Sequence, residues 1–134
     1  MSNALQNNVA IKIFVGDFLE PATADESQTV VSEKPLPPGA PVADEVRANH
    51  AVLCWTPSPT SGVRYSVQQR LRTETRWQDA DTKEYISSTL TKVRGLLEHE
   101  HYFFRIVAVK GEMVSRPSKQ SRVIVAKNPF SKHI

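Results

Sequence analysis

The chain has 134 residues, 40% hydrophobic and 23% charged, which suits one ordinary domain with a tail, holds a buried core, and is too short for two full domains. Five carboxylates against two lysines leave residues 1–35 at −3 while the whole chain carries +3, so the remainder holds +6. That charge is scattered as single arginines and lysines rather than gathered in a block, which argues against nucleic acid as a partner.

Cys54 is the only cysteine, so no intrachain disulfide is expected. The sequence shows no apolar run of membrane-spanning length, no signal-like opening and no Asn-x-Ser/Thr acceptor. Together these lead to the expectation of a reduced, cytoplasmic protein with no membrane partner.

In chain order, Val9, Ile11, Ile13 and Val15 fall on alternate positions and predict a strand over 9–15. From Leu19 to Ser32 periodicity is lost and linker chemistry takes over. The prolines of Lys34-Pro-Leu-Pro-Pro-Gly-Ala-Pro41 then fix an extended, semi-rigid backbone. Ala51, Leu53 and Trp55 alternate with Val52 and Cys54 before Thr56-Pro-Ser-Pro-Thr-Ser-Gly62 breaks the run. Val63, Tyr65 and Val67 alternate with polar residues, as in a strand wet on one face. Trp77 stands alone in a polar stretch, and Tyr85-Ile86 opens an extended piece ending near Gly95-Leu-Leu97. Tyr102, Phe104, Ile106 and Ala108 alternate again. Beyond the breaks at Gly111 and Pro117-Ser118, so do Ser121, Val123 and Val125.

This pattern predicts an all-β fold, a seven-stranded antiparallel β-sandwich over residues 36–130, with an N-terminal extension over 1–35 and a tail over 131–134. The expected core is Leu53, Trp55, Tyr65, Val67, Trp77, Leu96, Tyr102, Phe104, Ile106 and Val123.

No residue set supports catalysis, a cofactor or a metal. A nucleophile beside an oriented base is not apparent, and no phosphate-cradling glycine loop or zinc-protease motif occurs. His99 and His101, flanked by Glu98 and Glu100, lack a third ligand in sequence reach and read as a solvated loop. Cys54 has no local base to lower its pKa. The segment Lys34–Pro41 has the wrong register for a proline-helix ligand and reads as a stiff lead-in. Asn128-Pro-Phe130 reads as a domain boundary rather than a short peptide ligand, and Val15-Gly-Asp17 lacks the basic residue of an integrin-binding tripeptide.

The order of motifs resembles the fibronectin type III family. Pro38-Gly-Ala-Pro41 is similar to the lead into its strand A. Val52-Leu-Cys-Trp55 with the following Thr-Pro is similar to strand B, Tyr65-Ser-Val67 to strand C, and Trp77 to the aromatic of strand C′. Gly95-Leu96 followed by Tyr102 resembles the corner between strands E and F, where the tyrosine hydroxyl reaches the backbone. Tyr102–Ala108 resembles strand F, and Ser115-Arg-Pro-Ser118 with Ser121 resembles the opening of strand G. The tryptophan on strand B and the lone cysteine set the chain apart from immunoglobulin domains. Ser115–Ser121 and Val125-Ala-Lys-Asn-Pro-Phe130 look like the edge of type III domains in giant muscle proteins of the titin and twitchin kind, although Met113 stands where a glycine is common. The resemblance implies a non-catalytic interaction and spacer module with protein partners, including neighbouring immunoglobulin or type III domains in a sarcomeric array. The alternative is an extracellular adhesion or receptor module of the same fold.

Overall fold

The computed structural model describes residues 33–84 and 86–130. The strand expected over 9–15, and Tyr85, lie outside them. The described strands are β1 (Val42–Val46), β2 (Ala51–Cys54), β3 (Arg64–Leu71), β4 (Gln78–Asp79), β5 (Leu90–Val93), β6 (His101–Lys110), β7 (Met113–Val114) and β8 (Ile124–Val125). They form two antiparallel sheets, one ordered β1-β2-β5 and the other β4-β3-β6-β7, with β8 also on β6. Counting β7 and β8 as two ends of one interrupted strand gives the expected seven.

Alternation explains the long elements. In β3, Tyr65 and Val67 turn inward, and in β6 so do Tyr102, Phe104, Ile106 and Ala108. The two strands pair from Arg64↔Val109 to Leu71↔Tyr102, and this register lines up both apolar rows on one face. The facing sheet contributes Ala51, Leu53, Trp55 and Val93. Leu53, Val67, Val93, Phe104 and Ile106 are fully enclosed, each such burial contributing about 1.5–3 kcal/mol. Trp55 meets Tyr65 edge to face, with ring centroids 5.5 Å apart at 70°.

Buried tyrosines need partners for their hydroxyls, and both find backbone. The Ser58 N–H donates to the Tyr65 hydroxyl (3.0 Å), and the Leu97 N–H donates to the Tyr102 hydroxyl (2.8 Å). Gly95, at φ 72°, supplies the left-handed turn that brings the second pair together.

The proline lead-in is packed onto the domain. Pro35, Pro38 and Pro41 are buried at every third position, the period of a polyproline helix. The Ser58 hydroxyl donates to the Leu36 carbonyl (2.6 Å) and the Leu36 N–H to Thr60 Oγ1 (2.9 Å). The Gly39 N–H donates to the Thr56 carbonyl (3.0 Å). A Cβ at Gly39 would sit 3.0 Å from that of Thr56, so glycine permits this close approach.

Between β7 and β8 the chain departs from strand periodicity, and one core expectation is corrected. The N–H groups of Ser115, Ser118 and Ser121 donate to the carbonyls of Ala108, Ile106 and Phe104. In return the N–H groups of Ala108, Ile106 and Phe104 donate to the three serine hydroxyls, at 2.8, 3.0 and 3.0 Å. Each hydroxyl passes its own proton to the next residue's carbonyl, at Arg116, Lys119 and Arg122. A hydroxyl thus takes the place of a strand carbonyl on every rung, and the segment advances three residues for every two of β6. The inward position after Ser121 is therefore Ile124 (7% exposed), and Val123 is 40% exposed.

Ser118→Ala leaves the buried Ile106 N–H without its acceptor and is expected to lower stability by about 1–3 kcal/mol in urea denaturation. Trp55→Ala is expected to cost about 3–5 kcal/mol through lost burial and the cavity left behind. A parent-like melt for either variant contradicts the packing described.

Candidate protein-interaction face

The outward residues of the larger sheet are where polar and aromatic side chains converge. On β3 these include Gln68 and Arg70, and on β6 Phe103 and Arg105. The antiparallel register sets Arg70 opposite Phe103 and Gln68 opposite Arg105. Trp77 immediately precedes β4, which pairs with β3 through Gln68↔Asp79 and Gln69↔Gln78. The indole is thereby carried over the sheet.

The result is an alternating stack of aromatic rings and guanidinium groups. The Arg70 guanidinium lies 4.7 Å from the Phe103 ring centroid and 5.2 Å from that of Trp77. Arg105 lies 4.3 Å from the Trp77 centroid. Hydrogen bonds fix both cations. Arg105 Nε donates to Gln68 Oε1 (2.6 Å), Arg70 Nη1 to the Glu74 carbonyl (2.7 Å), and Arg70 Nη2 to Gln120 Oε1 (3.3 Å). Burial lowers the pKa of Arg105, and the neighbouring Arg70 charge lowers it further. Beside the stack, Gln68 and residues 73–79 line an open, polar depression of about 850 Å3.

Chemically this face offers flat, oriented cation and ring surfaces, which suit docking of another protein: arginine and tryptophan are the side chains that most often anchor interfaces. It contains no nucleophile beside a base. Elsewhere, His99 sits at φ 72° with Nε2 3.7 Å from Glu98 Oε2, and among the described residues no three His, Cys, Asp or Glu side chains gather as a metal site. Cys54 is a free, half-buried thiol.

The sequence-derived core residues divide. Leu53, Trp55, Tyr65, Val67, Leu96, Tyr102, Phe104 and Ile106 lie together in one buried cluster. Val123 is outside it, as described, and so is Trp77, which is half-buried and rests on the outer arginines. The reason is placement: Trp77 arrives from the sheet edge over the wet face. Sequence reading missed Arg70, Phe103 and Arg105 as a unit. Their signal was the outward half of each alternation, which becomes informative only when the β3–β6 register is known.

The stack predicts a coupling. A double-mutant cycle with Trp77→Ala and Arg105→Ala, read by urea denaturation, is expected to give about 0.5–1 kcal/mol. Strict additivity of the two changes contradicts the contact.

Comparison with known proteins agrees with this architecture. Residues 36–124 match the family described as "Fibronectin type III domain". The chain is 32% identical over 111 residues to contactin-5 of Gallus gallus, a match covering 77% of this chain. It is 26% identical over 100 residues to myomesin-2 of Homo sapiens, covering 72% of this chain. It spans only 11% and 7% of the lengths of those two relatives. Titin module A71 from human cardiac muscle superposes with a TM-score of 0.64 at 28% identity, covering 75% of this chain and all of that module. With its two antiparallel sheets, its interrupted last strand and its match over residues 36–124, the chain belongs to the fibronectin type III family.

Proposed function

We propose that the chain acts as a non-catalytic protein–protein interaction and spacer module of an intracellular, sarcomeric multidomain protein. Its neighbours are further immunoglobulin or type III domains. The observation that carries the interaction role is the Phe103–Arg70–Trp77–Arg105 stack, an ordered docking face that the core does not need. The spacer role draws on the lead-in, whose Pro35, Pro38 and Pro41 are buried and whose Leu36 and Gly39 backbone groups are hydrogen-bonded to Thr56, Ser58 and Thr60. A lead-in held this way is a stiff segment rather than a flexible linker. Likeness to the titin module from cardiac muscle and to myomesin-2 supports the muscle setting. The 32% identity to contactin-5 favours a second reading, an extracellular adhesion or receptor module of the same fold.

Blotting of fractionated tissue with an antibody raised against residues 36–130 separates these readings. The expected result is a band far heavier than 134 residues in the myofibrillar fraction. A heavy band at the cell surface supports the second reading, and a band the size of 134 residues overturns the array.

A further inference from the structure

The three-residue rungs of the segment after β7 have a consequence on their outer side. Each serine turned toward β6 is followed by a cation, giving Ser115-Arg116, Ser118-Lys119 and Ser121-Arg122. The rungs share one hydrogen-bonding pattern, so the cations recur at equivalent positions. All three are exposed, and none forms an ion pair among the described residues. Each rung spans two residues of β6, so the charges repeat about every 6.8 Å along the edge.

Two grooves run beside this row. One, of about 440 Å3, lies between residues 34–37 and Arg116-Pro117. The other, of about 540 Å3, lies between residues 40–43 and 120–124. Leu36, Val42 and Val123 expose aliphatic surface in them. Neither lining contains a carboxylate or an aromatic ring.

We propose that this edge is a docking site for an extended acidic polypeptide segment carrying carboxylates at alternate positions and aliphatic residues between them. The match is one of period and charge. Same-face side chains of an extended strand also repeat about every 6.8 Å, so successive carboxylates meet Arg116, Lys119 and Arg122 in step. Alternate side chains point to opposite sides of an extended backbone, so a peptide lying along the grooves turns its carboxylates to the 116–122 wall and its aliphatic side chains to Leu36 and Val42 on the other. A single-stranded nucleic acid would find the charges but no ring on which to stack its bases. The site adjoins the cation–aromatic stack through Gln120, which lines the second groove and accepts from Arg70, and it stands whether the module is intracellular or extracellular.

The test is calorimetric titration of the full chain with a capped heptapeptide alternating valine and glutamate. A peptide of the same composition with its glutamates contiguous, and an oligothymidylate, serve as comparisons. The alternating peptide is expected to bind tightest, and R116E/K119E/R122E to weaken it by at least about tenfold with an unchanged thermal midpoint. If that variant fails to fold, R116Q/K119Q/R122Q carries the same expectation. Absence of binding, equal affinity for the contiguous peptide, stronger binding of oligothymidylate, or parent-like affinity in the charge variants overturns the proposal.

Discussion

The strand β6 lies inside the larger sheet, and the backbone groups of Phe104, Ile106 and Ala108 that face away from β3 are enclosed there. Buried N–H groups must be paired or cost roughly 1–3 kcal/mol each. A regular last strand would satisfy them with carbonyls. Here the chain carries proline at position 117 and satisfies them with serine hydroxyls at every third residue. This substitution sets the inward position of Ile124, the outward position of Val123 and the alignment of Arg116, Lys119 and Arg122. The edge of the domain follows from one hydrogen-bonding requirement.

That requirement also shows where the sequence could be read and where it could not. Alternation located β2, β3 and β6 because apolar side chains recur at alternate positions of each and turn inward. The same rule applied to Ser121, Val123 and Val125 fails by one residue, since a polar side chain there does the work of backbone. The spacing Ser115, Ser118, Ser121, Ile124 was visible, but its period of three belongs to neither strand nor α-helix. The prolines at 35, 38 and 41 are clearer, because a proline-rich run has a known three-residue turn. Their burial was still not legible without Thr56, Ser58 and Thr60 beside them.

The cation–aromatic stack was legible only in pieces. Trp77 reads as a lone aromatic in a polar stretch and is expected in the core. It is covered, but by guanidinium groups on the outside. Phe103 and Arg105 are the residues between the inward positions of β6, and Arg70 lies opposite Phe103 on β3. Their association depends on three strands meeting in a given register, which no local pattern encodes. The backbone under this face is fixed by the eight paired positions of β3 and β6.

The charge state of the stack bears on why it exists. Burial and the neighbouring Arg70 charge both lower the pKa of Arg105, so the folded state holds that proton less tightly than the unfolded chain. By linkage, stability rises as pH climbs through the strongly alkaline range below the ordinary arginine value. Around neutrality both guanidinium groups stay charged, and their mutual repulsion is a standing cost to folding. Ring faces and the Gln68, Glu74 and Gln120 oxygens offset it locally. The hydrophobic core is complete without any of these groups. A carboxylate or a neutral residue at either arginine position would relieve the repulsion but lose the ring contacts and hydrogen bonds that the guanidinium makes. Retaining two oriented cations on an exposed sheet is the kind of local conflict that folds tolerate at surfaces used for recognition.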